Sequence, residues 1–295
     1  MSVAVLIGVH DGLVLAADSA STLSISASPG IAPGGNFVAN VYDNANKIFN
    51  LVKGAPIGCI TFGSGNIGNA SIGTLIKDLR KKLTDTPAEM GFNAEEYTME
   101  GVAKILAKFL GDECQNIEQP LRLNTNVGFL LGGYSKPRAL GESWSVEVQK
   151  GVAQPPKKLR QDYEVGMHWG GATEVLQRIV MGFSPHLFKV LAAVTQPQQN
   201  PEVLAAQLGP LIVAQLQAPI VFAPMPIQDV IDLARFLVHS AIMFQRFTPG
   251  PNIVGGPIEI AAITKHENFK WISRKHYYDQ PLNKEPIHVI SDRRD

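Results

Sequence analysis

The order of apolar patterns along this chain predicts an α+β fold, with antiparallel sheets and helices packed outside them. Three observations carry that prediction. Short strand-like runs come in neighbouring pairs joined by turns, helix-like patterns come two at a time between those pairs, and two further strand patterns follow the last long helix. A doubly wound parallel sheet would alternate strand and helix one by one, which this order does not do.

The elements follow in turn. Val3–Val9 and Leu13–Ala17 are short apolar runs around Asp11-Gly12, the signature of a hairpin. Ser19 to Asn46 is rich in Ser, Ala, Gly, Pro and Asn and reads as an irregular connection with one short strand at Phe37–Tyr42. Ile48–Val52 and Ile57–Phe62 form a second strand pair around Lys53-Gly54. Ile72, Leu75, Ile76, Leu79 and Leu83 then fall on one face of a helix. Asn93 with Glu96 resembles a capping box, and Val102, Ile105, Leu106 and Phe109 repeat the helical spacing. Strands return at Val127–Tyr134, Ser143–Val148 and Glu164–Trp169, and Gly170-Gly171 leads into a helix over Thr173–Met181. The stretch 185–226 is rich in Pro, Gln and Ala and reads as a helical insertion within one domain spanning 1–295. A long helix covers Ile227–Phe247 and stops at Pro249-Gly250-Pro251. Strands at Pro257–Thr264 and Lys270–Ser273 follow, with a further short one at Ile287–Ile290.

Composition narrows the function classes. Lys+Arg equals Asp+Glu at 26 each, so the basic excess of a nucleic-acid binder is missing. The same balance sets no long-range field against self-association. Cys59 and Cys114 read as reduced thiols, and the seven His are scattered without metal-ligand spacing, so neither a metal nor a cofactor is expected. Val3–Val9 lacks a basic segment before it and is broken by His10-Asp11-Gly12. No run has the length needed to cross a membrane, and the expected location is the cytoplasm.

Two motifs compete for one glycine turn. Gly63-Ser64-Gly65-Asn66-Ile67-Gly68 has the G-x-G-x-x-G form of a dinucleotide fingerprint. A Rossmann unit needs a parallel strand after the helix, whereas Leu83 is followed by Thr84-Asp85-Thr86-Pro87 and a second helix. The better reading makes Gly63 a backbone N–H donor for a developing oxyanion. Its nucleophile is Ser2. Alone, a Ser at position 2 says nothing. Once Met1 is removed, however, its hydroxyl and a free α-amine with an ordinary pKa of about 7.7–8.0 lie on one residue. Asp18, at the end of an Ala-Ala-Asp run, is suited to fix the Lys47 ammonium. Lys47 in turn favours the deprotonated forms of Ser2.

The stretch from Ser2 to Asp18 resembles the opening of proteasome β-type subunits: a nucleophile, a strand, a glycine turn and a closing Ala-Ala-Asp. Asn46-Lys47-Ile48-Phe49-Asn50-Leu51 resembles the next strand of that family, which starts with its catalytic lysine, and Phe62-Gly63-Ser64-Gly65 resembles its oxyanion turn. Leu130 to Tyr134 and Val254 to Ile260 resemble later strands of the bacterial proteasome-like groups, Anbu especially. The resemblance implies an N-terminal nucleophile hydrolase with a four-layer αββα sandwich. It also implies a catalytic set of Ser2, Asp18, Lys47 and Gly63, peptide or unfolded-protein substrates, and a homo-oligomeric ring or stacked assembly. The same fold is compatible with a small-amide amidohydrolase or with an inactive scaffold. Departures from the family pattern are Ser in place of the usual Thr and a longer stretch between Asp18 and Lys47. The family's arginine falls on Ala20, and its later aspartate has no acidic counterpart around Phe247–Ile253. Its Gly-Ser-Gly turn aligns with His168-Trp169-Gly170-Gly171, which puts Trp169 where the family's serine supports the amine.

Overall fold

The computed structural model describes residues 2–26, 36–119, 121–136, 140–184, 186–195, 200–276, 279 and 282. The strand expected at Ile287–Ile290 lies outside the described residues.

The chain opens with β1 (Val3–Gly8) and β2 (Leu13–Ala17), then β3 (Ser21–Ser26) and β4 (Asn36–Tyr42). Next come β5 (Ile48–Asn50), β6 (Ile57–Gly63) and the small pair β7 (Asn66–Ile67) and β8 (Ala70–Ser71). Helices α1 (Ile72–Asp85) and α2 (Met99–Gln115) lead to β9 (Val127–Gly133), β10 (Glu142–Gln149), β11 (Val152–Ala153), β12 (Lys157–Lys158) and β13 (Gly166–Gly171). Four helices follow, α3 (Glu174–Met181), α4 (Leu187–Thr195), α5 (Pro201–Leu216) and α6 (Ile227–Phe247), before β14 (Glu259–Thr264) and β15 (Asn268–Ser273). The two main sheets run β13-β1-β2-β14-β15 and β11-β10-β9-β6-β5, with β12 also on β10. Every pairing between described strands is antiparallel.

Side-chain alternation explains why β1 reads as an unbroken apolar run. Val3, Val5 and Ile7 join a cluster with Leu176, Val180, Leu237 and Val238 of α3 and α6. Ala4 and Leu6, on the opposite face, meet Ile48, Ile60 and Leu130 of the other sheet. A strand covered on both faces has no position left for a polar residue. A third cluster joins Cys59, Phe129 and Val146 of the second sheet to Leu75, Leu79, Leu106 and Leu110 of α1 and α2. At about 25 cal/mol per Å² of apolar surface removed from water, such clusters are the main term holding the mixed α+β fold together.

Two expectations change. Ser19 to Asn46 contains a hairpin, since β3 pairs with β4. The second helix begins at Thr98, whose Oγ1 accepts from Gly101 N at 3.0 Å. Asn93 instead makes a local turn, its Oδ1 accepting from Glu95 N at 3.0 Å. The G-x-G-x-x-G stretch contains β7, and β9, the strand that returns after α1 and α2, pairs antiparallel with β6, in agreement with setting the Rossmann reading aside. Among the described residues, no helix is long and apolar enough to cross a membrane and no His/Cys/Asp/Glu group is arranged to hold a metal ion.

Candidate active site

Asp18 stands at the end of β2 with 0% of its surface exposed, and its carboxylate accepts from four donors. Oδ1 accepts from Lys47 Nζ at 2.6 Å and from Val3 N at 2.8 Å. Oδ2 accepts from Ala20 N and from Gly255 N, both at 3.1 Å. One carboxylate thus fixes the start of β1, the chain after β2, the approach to β14 and the Lys47 ammonium. Lys47 precedes β5, and its carbonyl accepts from Thr61 N at 2.9 Å, which extends the β5–β6 ladder up to it. Burial is the largest influence on Lys47 and lowers its pKa below the ordinary lysine value, while Asp18 opposes the shift by favouring the ammonium.

Ser2 is 6% exposed and lies against β13, its carbonyl accepting from Ala172 N at 2.7 Å. Gly171 has φ +90°, and a Cβ there would collide with the Ser2 carbonyl, so glycine is required for the close approach. At the end of β6, Gly63 has φ +93°, and a Cβ would lie 2.5 Å from Asn126 O. The turn after it is locked reciprocally: Ser64 N donates to Asn126 O at 2.8 Å, and Asn126 N donates to Ser64 Oγ at 3.0 Å.

These elements converge on a cavity of about 280 Å³ lined by Ser2, Lys47 and Gly63, together with Ser21, Asn44 and Ser64. Among the described residues, Lys47 is the one ionisable side chain in its wall, and Asp18 supports it from behind. Ser71, Ile72 and Gly73 at the start of α1 also line the cavity, so a positive helix end faces the same space. Three of the four residues singled out from sequence therefore share one wall, and the fourth anchors it. The contributions of Ser21 and Asn44 had no sequence signal beyond their proximity to Asp18 and Lys47. Gly255 gave none as a partner of Asp18, because that contact depends on how β14 pairs with β2.

The expected placement of Trp169 does not hold. It pairs with Val5 and shares that residue's outward face, packing against the α3–α6 cluster. Gly171 and Ala172 are the residues beside Ser2. His168 faces the inter-sheet side opposite Leu6 with its Nε2 unpartnered. Leu6 is four strand residues from Ser2, about 13 Å at 3.3 Å per residue, which is too far for a base acting on that hydroxyl.

No family model and no curated protein matches the chain. Among solved structures, it is similar to Anbu (ancestral β-subunit) from Yersinia bercovieri, with a TM-score of 0.50 and 13% identity over 94% of this chain and 89% of that one. The chain has the Anbu fold. It is a mixed α+β fold resembling that of the Anbu subunit.

Proposed function

We propose that this chain is a proteasome-like peptidase with an N-terminal serine, hydrolysing amide bonds through an acyl-enzyme. The observation that carries the reading is the one cavity walled by Ser2, Lys47 and Gly63 together, with the buried Asp18–Lys47 pair of 2.6 Å behind it. After removal of Met1, the Ser2 α-amine takes the Oγ proton as Oγ attacks the substrate carbonyl. The Gly63 N–H receives the developing oxyanion, and the Lys47 charge stabilises it. Collapse of the tetrahedral adduct expels the leaving amine with the proton held by the α-amine and leaves an ester on Ser2. Water, deprotonated by the same amine, attacks the ester and regenerates the hydroxyl.

A peptide is favoured over a small amide by a neighbouring groove of about 750 Å³. It shares Thr22, Gly63, Ser64 and Gly65 with the cavity and continues past Leu23, Val38 and Ile253. The three apolar clusters are read as the seams of a four-layer αββα sandwich in one domain, with 185–226 as a helical insertion. The similar structure is named a β-subunit, and by extension this chain is a subunit of a cytoplasmic homo-oligomer.

Intact mass of protein from its native host, before and after an active-site-directed acylating inhibitor, tests the chemistry. The expected result is loss of Met1 alone, then one adduct on Ser2 that Ser2→Ala abolishes. A retained Met1, or a free Ser2 that no inhibitor or fluorogenic peptide engages, overturns the enzyme reading in favour of a scaffold.

A further inference from the structure

The proposed mechanism uses Asp18 and Lys47 and leaves a second buried ion pair beside them unassigned. Glu259 opens β14 opposite Ala17, the residue before Asp18, and is 1% exposed. Lys275, just beyond β15, brings Nζ to 2.9 Å from Glu259 Oε2 and donates to Ser19 Oγ at 2.8 Å. The Glu259 contact is close in distance but off the line of a hydrogen bond, so charge holds it. Ser19 passes the connection on. Its hydroxyl donates to Pro257 O at 2.6 Å and its N–H to Gly255 O at 2.8 Å, while Gly255 N donates to Asp18 Oδ2 at 3.1 Å. An unbroken series of contacts thus runs from Lys275 to the carboxylate that holds Lys47.

Packing alone gives no reason for these charges. An apolar pair of similar volume commonly stabilises a fold as well as a buried ion pair does. We propose that Glu259 and Lys275 are positioning residues that order the Asp18 turn and set the charge state of Lys47. The inference rests on the hydrolase reading for its purpose and on these contacts for the coupling. The charged groups facing Lys47 are Asp18 from the end of β2, Glu259 from β14 and Lys275 from beyond β15. Burial lowers the Lys47 pKa most; Asp18 raises it, Lys275 lowers it and Glu259 raises it. Lys47 acts in its protonated form in the proposed chemistry, so activity is lost as pH rises through its pKa. Removing Lys275 moves that alkaline limb to higher pH, and removing the Glu259 charge moves it to lower pH.

Lysine labelled with ¹³C at Cε lets the Lys47 titration be followed by NMR, with the resonance assigned by its loss in Lys47→Arg. Acylation of Ser2 by the same inhibitor is followed against pH in parallel. The midpoint is expected to rise in Lys275→Met, fall in Glu259→Gln and stay in place in Lys275→Arg. The double variant Glu259→Gln/Lys275→Met removes both opposing influences and returns the midpoint towards the wild-type value, which supplies a second reading if Glu259→Gln alone fails to fold. The alkaline limb of acylation tracks these shifts. Midpoints that stay put, or move together in the two single variants, overturn the coupling even where Ser2 acylates normally. Opposite shifts in a protein that never acylates Ser2 support the coupling and overturn the hydrolase reading instead.

Discussion

At its Ser2 end, β1 meets a carboxylate surrounded by donors: Lys47 Nζ and the N–H groups of Val3, Ala20 and Gly255. At its Gly8 end, it meets a guanidinium surrounded by neutral acceptors. Arg160 is 8% exposed and donates to Gly8 O at 3.1 Å, Glu164 O at 3.0 Å and Ser143 Oγ at 2.8 Å. Both clusters are buried and polar, and both tie β1 to other parts of the fold. They differ in what they leave available. The Ser2 end places an ammonium and a hydroxyl on a cavity, with a lysine whose affinity for its proton burial has weakened. The Gly8 end commits its cation to carbonyl and hydroxyl oxygens, and an arginine does not give up its proton in proteins. Burial of polar groups is therefore not in itself a sign of function. What distinguishes the two ends is access to a cavity and a partner able to change its protonation state.

The largest expected effects come from separating Asp18 from Lys47. Lys47→Ala leaves the carboxylate with its three backbone donors, so most of the fold survives while Ser2 acylation falls by about 10³-fold or more. Asp18→Asn behaves differently, because an amide presents two N–H groups to a site made entirely of donors, whichever way it is flipped. It is expected to cost about 3–5 kcal/mol of stability. Urea denaturation and inhibitor labelling should rank the two variants in opposite orders, with Asp18→Asn the less stable and Lys47→Ala the less reactive. Equal loss of both properties in both variants would mean that the pair is purely structural and would erase the contrast with the Gly8 end.

Arg160→Met tests the other end. It leaves Gly8 O and Glu164 O without their side-chain donor and is expected to cost about 2–3 kcal/mol. Its folded fraction should still acylate Ser2 at the wild-type rate. A rate loss beyond the unfolded fraction would show that the Gly8 end also shapes the site.

Much of this contrast was legible in the sequence at one end and not at the other. Ser2, Asp18, Lys47 and Gly63 all fall in the first quarter of the chain, at the ends of two strand pairs, each closed by a short turn. Short apolar runs bounded by turn residues placed β1, β2, β5 and β6, and the spacing from Ile72 to Leu83 gave the buried face of α1. The Leu23 and Ile25 alternation that marks β3 was outweighed by a Ser-rich, Gly-rich context. Trp169 was misplaced because an alignment of glycines fixes neither register nor face, and a one-residue difference in register moves every side chain to the other side of the sheet. The Glu259–Lys275 pair had no local signal, since it depends on the long-range pairings of β14 with β2 and β15.

The smallest effect expected belongs to His168 at the Gly8 end. Burial, with a lesser contribution from the Arg160 charge, lowers its pKa from the ordinary 6.5 to about 4. Between those values the unfolded chain binds the proton more readily than the folded one, so stability falls as pH drops through the window. Above pH 6.5 the imidazole is neutral in both states and the contribution is fully present. The ring is partly open to solvent, which limits the effect to about 1 kcal/mol or less. Thermal melts at pH 7 and at pH 4.5 should show a smaller drop for His168→Phe than for wild type, once the acid sensitivity common to both is subtracted. An equal drop would mean that the folded protein accepts the proton on His168 without penalty. The Gly8 end would then hold a titrating group after all, and the distinction between a closed clamp and an open, responsive Ser2 end would have to rest on the cavity alone.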